Sequence, residues 1–281
     1  MKQKSSKKLL STSLLLVLIA LVSLTAATTA WMTIADSTRL KTMRLDVTSG
    51  ANLRFDLGSE MCIRDSSHET FEEYVKSLRL IDIADRILRD QGYHPRENPL
   101  SPVTTTDCIH FTLENGEPAA TESYMEFVLH FMATGDMVVH LTTAGEEGTR
   151  IFSDEVSDIA KAMRISFTAD DSTAVYDPGM EPGSEEGLGG KIFGLARGNR
   201  IVYDASNTLF FLNAGVDKPV TVRIWLEGTD EICTDALRGV PYHIQLRFVG
   251  TDENGNLLED SRTTTRRSAA ATPTEERNEN K

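Results

Sequence analysis

The chain lacks every short motif that would assign it a reaction. It has no Gly-x-Ser-x-Gly elbow to expose a serine nucleophile. It has no His-Glu-x-x-His pair, which on a helix would offer two zinc ligands and a base together. Its Gly187-Leu188-Gly189-Gly190 run lacks the Gly-Lys-Ser/Thr ending of a phosphate loop. Basic residues are also short: 29 Lys and Arg stand against 42 Asp and Glu, a formal charge of −13. That balance argues against nucleic acid, whose phosphates need basic surface, and against docking on anionic lipid by charge. There is no sequence repeat, no C-terminal sorting motif and no second long apolar run. Carboxylate pairs of the glycosidase kind exist in any acidic chain, and only their separation in space can single one out.

What is present begins with a basic head and an apolar run. Lys2, Lys4, Lys7 and Lys8 precede residues 9–24, and small residues then lead to Ala30 and Trp31. Charge, grease and small residues in that order build an export signal. Two fates fit residues 1–30. Thr28 and Ala30 suit cleavage after Ala30, which the reading favours. Alternatively the run, extended through Trp31, stays as a membrane anchor. The leader carries four lysines and no acid, so its loss would take the charge from −13 to −17. Such a chain is expected to be soluble outside the cytoplasm, secreted or at the cell surface.

Gly58-Ser59-Glu60-Met61-Cys62-Ile63-Arg64-Asp65-Ser66 agrees at every position with the translation of a transposase-type sequencing adapter. The segment is read as an artefact and set aside from fold reasoning. Cys62 leaves with it. Cys108 and Cys233 remain, and outside the cytoplasm they could pair or stay as buried thiols. A disulfide closing that loop would contribute about 4–5 kcal/mol in the chain-entropy model.

Hydrophobic periodicity predicts a mainly β chain with one amphipathic helix near its N-terminus. Residues 31–57 read as an N-terminal hairpin, with Met43, Leu45, Val47 and then Leu53, Phe55, Leu57 alternating about a turn at 48–52. Residues 71–91 read as the helix. Thr70-Phe71-Glu72-Glu73 forms its capping box. Phe71, Tyr74, Val75, Leu78, Ile81, Ala84 and Leu88 form its apolar face, and Gly92 its stop. Residues 93–107 read as loop. Strands are predicted at 108–113, 123–133, 136–143, 162–168, 200–203, 208–213, 219–227 and 242–249. One or two helical turns are expected at 153–161, and a short returning strand at 256–259. Val220, Val222, Ile224 and Leu226 share one face, as do Ile244, Leu246 and Phe248. Many short strands separated by turns argue for an antiparallel sandwich, jelly-roll or immunoglobulin-like, over residues 67–260. Residues 177–190, rich in Pro, Gly and Glu, read as a flexible loop, and 261–281 as a disordered tail.

His110, His130, His140 and His243 fall in predicted strands. Aligned strands could gather His110, His130 and His140 into a zinc or copper site, while plain alternation puts the same residues on a polar outer face. Glu227-Gly228-Thr229-Asp230-Glu231 and Asp252-Glu253-Asn254-Gly255-Asn256 gather oxygens that could hold calcium. Neither has EF-hand spacing, and Asn254-Gly255 is also hairpin-turn chemistry.

Three patches resemble one family. Ala27-Thr28-Thr29-Ala30-Trp31 is similar to the signal end of TasA/camelysin-like proteins of Gram-positive bacteria. Ala162-Met163-Arg164-Ile165-Ser166-Phe167 resembles their internal Ala-x-Arg-Val-x-Phe strand. Trp225-Leu226-Glu227-Gly228-Thr229-Asp230-Glu231-Ile232-Cys233 resembles a late Trp-x-Glu-Gly-x-Asp-x-x-Cys segment of related surface proteins. The resemblance implies an exported β-sandwich of the cell surface or biofilm matrix. The expectation is then a non-catalytic structural protein that associates with itself or other surface proteins through strand edges. Residues 38–47 would be the donor strand, and no cofactor is required. The alternatives are a ligand- or glycan-binding module with calcium-assisted loops, and a metallo-hydrolase built on the histidines.

Overall fold

The computed structural model describes residues 17, 39–48, 52–58, 71, 74–97, 99–237 and 240–258. Ala30 and the leader, the adapter-like segment beyond Gly58, the capping box at 70–73 and the tail at 261–281 lie outside those residues, Val17 and Phe71 apart.

In chain order the elements are β1 (Leu40–Val47), β2 (Leu53–Asp56), β3 (Ser77–Arg79), α1 (Leu80–Gln91), β4 (Pro102–Thr105) and β5 (Phe111–Thr112). Then come β6 (Met125–Ala133), β7 (Met137–Leu141), β8 (Arg150–Phe152), α2 (Ile159–Ala162), β9 (Met163–Ala169) and β10 (Ser172–Tyr176). The series closes with β11 (Gly183–Gly187), β12 (Gly190–Gly194), β13 (Thr208–Leu212), β14 (Lys218–Glu227) and β15 (Tyr242–Thr251).

The chain is mainly β, as its alternation predicts. A first sheet runs β13-β7-β15-β1-β3, with β8 also on β15. A second runs β11-β12-β10-β9-β14-β4-β5, with β6 on β14 and β2 on β6. Most ladders are antiparallel, and β1–β15, β10–β12 and β4–β14 run parallel. The sheets face each other across aromatic rings. Phe248 of the first sheet meets Phe55, Phe131 and Phe167 of the second edge-on, at centroid distances of 5.9, 5.1 and 5.9 Å. Val220, Val222, Ile224 and Leu226 enter that core from β14, and Ile244 and Leu246 enter it from β15. Period-two alternation therefore places these side chains correctly. Trp225 points the other way, into a small cluster with Val103, Cys108, Phe111 and Val175.

Several expected elements are corrected. The hairpin at 31–57 does not form: β1 lies in the first sheet and β2 in the second. The helix begins at Leu80, not at 71. Val75 bridges Phe55 through two backbone hydrogen bonds of 2.9 and 3.0 Å, and residues 77–79 pair with β1. The buried helix face is Leu80, Ile83, Ala84 and Ile87, while Ile81 and Leu88 are exposed. The Asp82 carboxylate accepts the Arg79 N–H at 3.0 Å to start the helix. Gly92 ends it as expected, in the left-handed region at φ 80°.

The stretch at 177–190 holds β11 and the start of β12 in place of a flexible loop. The hairpin turns at Leu188-Gly189, where both φ angles are positive, the geometry of a tight two-residue connection. Residues 102–105, read as loop, form β4, and Ser172–Tyr176 forms the unforeseen β10. Residues 200–203 form no strand, and 108–113 shrinks to β5. Among the described residues no helix is long and apolar enough to cross a membrane.

Candidate functional site

Strand β1 sits in an unusual seat. It is the first described strand, and its main partner β15 is the last. The two run parallel, with Met43 opposite Ile244, Arg44 opposite Gln245, Leu45 opposite Leu246 and Val47 opposite Phe248. On its other side β1 pairs antiparallel with the short β3, Leu45 opposite Leu78. Leu40, Met43, Leu45 and Val47 are buried in the core. No local turn holds this strand to either neighbour. Its covalent tie to the rest of the described body is its C-terminal end, which leads to β2 in the opposite sheet.

The outer face over that seat is polar. Thr42 Oγ1 and His243 Nδ1 are 2.8 Å apart, and His243 Nε2 lies 3.1 Å from Asp154. The His243 ring stacks on Phe152 at 4.8 Å, and the Arg150 guanidinium lies 4.6 Å from the Phe152 centroid. Arg44 is held by Asp46 at 2.6 Å and by Glu147 at 2.8 Å. Below them an open groove of about 500 Å³ is bordered by Lys41, Arg44, Arg79, Arg96, Phe152 and Gln245, among others.

The structure does not bring His110, His130 and His140 together. His110 lies in the bend before β5, its Nδ1 2.7 Å from Asp107. That aspartate also accepts the backbone N–H groups of Ile109 and His110. Burial pushes the Asp107 carboxyl up, but the hydrogen bonds from His110 and Ile109 prevail and hold it well below the usual range. His130 on β6 lies 2.8 Å from Asp217, which also accepts the Tyr74 hydroxyl at 2.8 Å. His140 on β7 is buried between Asn207 and Thr251, at 2.8 and 3.2 Å. Its burial lowers its pKa, so the neutral ring is favoured. Among the described residues no group of three His, Cys, Asp or Glu is placed to hold a metal ion.

In the two calcium candidates, Glu227, Asp230 and Asp252 accept hydrogen bonds from protein donors. Glu227 accepts the Trp225 indole N–H at 3.0 Å and the Thr229 hydroxyl at 2.7 Å. Asp230 pairs with Arg164 at 2.7 Å and accepts the Ile232 N–H at 3.0 Å. Asp252 accepts the N–H groups of Asn254 and Asn256, both at 2.9 Å, which shapes the turn around Gly255.

Compared with known proteins, the chain matches no family model, no curated protein and no solved structure.

The two patches of strand resemblance meet in space. Trp225 lies directly opposite Arg164 in the β9–β14 ladder. Arg164 Nη2 reaches Asp230 at 2.7 Å and Asp177 at 3.0 Å, with all three side chains largely buried. Arg164, Trp225, Glu227 and Asp230 form one structural lock. Sequence inspection finds the two patches but not their contact, because some sixty residues separate Arg164 from Asp230.

Cys108 and Cys233 are free, buried thiols, the second of the two expected states. They belong to different clusters, Cys108 with Trp225 and Cys233 in the main core. Cys108 has φ 57° because the Thr105 hydroxyl takes its N–H at 3.0 Å in a tight side-chain turn. Burial pushes both thiols up to about 12, far from the thiolate that reacts. In a Cys62→Ser background, neither thiol is expected to react with a disulfide reagent at pH 8. Both should react on unfolding, and fast native-state labelling would contradict their burial.

Proposed function

We propose that the chain is an exported, non-catalytic module of the cell surface or biofilm matrix that assembles with copies of itself by exchanging β1. One observation carries this reading: the first described strand, tied to the described body at its C-terminal end, fills a seat between β15 and β3 with four apolar anchors. In an exchanged assembly the same pairings form, with β1 supplied by a neighbour. Little interaction energy changes, which is why swapping a terminal element is a low-cost route to association. An empty seat would instead expose the paired edge of β15 and the groove for Met43 and Leu45. Such an edge recruits strands. The basic-then-apolar head supports the exported half of the reading. The TasA/camelysin-like patches support the matrix role.

Deleting residues 37–47 would remove core side chains and confound assembly with unfolding. A cross-link avoids that problem. Thr42 and His243 touch on the outer face, so Thr42→Cys with His243→Cys, in a Cys62→Ser background, can bond across the β1–β15 pair. In assembled material, oxidation is expected to give a ladder of linked chains on a non-reducing gel, collapsed by thiol. Bonds confined within single chains, or the absence of any assembly as concentration rises, would overturn strand exchange.

A further inference from the structure

We infer that the outer face of the first sheet binds an acidic glycan, gripped by a row of cationic side chains that crosses the strands. The register builds the row. Arg79 on β3 lies opposite Arg44 on β1, Arg44 opposite Gln245 on β15, and Gln245 opposite Arg150 on β8. Directly opposed residues share a face, so three arginines and one glutamine line up at the interstrand spacing of about 4.8 Å.

Like charges set directly opposite each other destabilise a sheet. Arg44 is relieved by Asp46 and Glu147. Arg79 is relieved only weakly: its ion pair with Asp82 is long, at 3.9 Å, and its side chain is 76% exposed. Lys41 and Arg96 extend the cationic border of the 500 Å³ groove, and neither makes an ion pair among the described residues. This concentration of positive charge stands on a chain of net charge −13, so composition does not account for it.

A second, independent feature points to a missing partner. Gln245 is only 9% exposed, and its Nε2 has no hydrogen-bond acceptor. A buried amide donor left unmet costs free energy. Gln245 borders the groove at the centre of the row; its Nε2 is shielded from solvent, so an incoming oxygen would satisfy it once the amide turns toward the groove. Glu147 already shows the chemistry accepted here: its carboxylate lies 2.8 Å from Arg44 and 3.7 Å from Arg247.

The direction of the row selects the ligand class. An extended acidic peptide adding to the edge of β3 would run along the strands. Its charges would then meet one arginine, not the row. A chain of carboxylated sugars can lie across the strands and meet Arg79, Arg44, Gln245 and Arg150 in turn, its hydroxyls serving the polar atoms between them. This inference stands apart from strand exchange, because it concerns the outer face and not the seat beneath.

The test is calorimetric titration of the full chain with a short oligogalacturonate, a neutral oligosaccharide of matched length and poly-L-glutamate. The oligogalacturonate alone is expected to bind saturably, weakening with salt as exposed charges are screened. Lys41→Ala with Arg79→Ala should weaken binding by about tenfold or more, the scale of lost charge-assisted hydrogen bonds. Gln245→Leu should weaken binding without lowering the melting temperature. The distant Lys161→Ala serves as the unchanged control. Absence of oligogalacturonate binding, affinity unmoved by the double variant, or preference for polyglutamate would each overturn the inference. The ladder experiment on β1 reads out separately from all three.

Discussion

Replacing Arg164 with alanine is expected to cost about 3–5 kcal/mol of stability, the range for removing one partner of a buried ion pair. The guanidinium is 12% exposed and serves two carboxylates, Asp177 and Asp230, exposed by 14% and 17%. Its loss strands both. It also releases the contact that ties β9 to the loop after β10 and to the loop after β14. Denaturant unfolding at neutral pH should show the loss, with a fall in melting temperature of roughly 6–20 °C for a domain of this size. A change below about 1 kcal/mol would mean that the triad behaves as an exposed surface pair.

The pH dependence of that loss has a definite sign. Burial raises the Asp177 pKa above its ordinary 3.8, and Arg164 pulls it partly back. A carboxyl with a raised folded pKa favours the folded state most below its unfolded value. That contribution fades as pH rises through the folded value. Without Arg164 burial acts less opposed, so the Asp177 pKa rises further. The penalty in Arg164→Ala is therefore largest near neutral pH and shrinks as the solution is acidified. Adding Asp177→Asn and Asp230→Asn to Arg164→Met should restore much of the stability, since uncharged groups need no counter-ion.

What the sequence discloses here follows from range. β6, β9, β14 and β15 are legible because one face is apolar and fully buried while the other carries mostly polar residues, so alternation survives in the residue order. Val220, Val222, Ile224 and Leu226 are the clearest case. β11 is invisible to that test: Gly183, Ser184, Glu185, Glu186 and Gly187 bury neither face, and only backbone pairing with β12 makes them a strand. The early helix boundary fails for a different reason. Two apolar stripes overlap in 71–91, one through Ile81 and Leu88 and one through Leu80, Ile83 and Ile87. Helical spacing alone does not rank them. Tertiary pairing of Val75 with Phe55 settles the matter.

Pairing is what the sequence withholds most completely. Alternation at 40–47 and 53–57 is correct within each strand, yet the hairpin joining them is not formed. The cationic row is hidden in the same way. Arg44, Arg79, Arg150 and Gln245 are unremarkable one by one, and only register across β3, β1, β15 and β8 makes them neighbours. The histidines mislead in the opposite direction. His130 and His140 do sit on adjacent strands in sequence, but in different sheets, one beside Asp217 and the other buried with Asn207.

Phe248→Ala is expected to destabilise the chain by about 3–5 kcal/mol, the range for truncating a buried aromatic ring. The ring is fully buried, and through it β15 of the first sheet touches Phe55, Phe131 and Phe167 of the second. Three edge-to-face contacts add to the area term, each worth about 0.5–1.5 kcal/mol in favourable cases. Their loss leaves a cavity between two sheets that cannot close without changing their spacing. Phe248→Leu keeps part of the volume and should cost distinctly less. Phe211→Ala on β13, at a ring 39% exposed, should change stability by no more than about 0.5 kcal/mol. The ordering is the discriminating feature, because it depends on the two sheets sharing one interior. β1 lies beside β15 with Val47 opposite Phe248, so a loosened interior also loosens the seat. Phe248→Ala is therefore expected to raise the concentration of exchanged dimers in the cysteine cross-linking experiment, at a temperature where the monomer is still folded by circular dichroism. Loss of stability without any rise in exchange would separate the core from the seat and count against β1 as the exchanged strand.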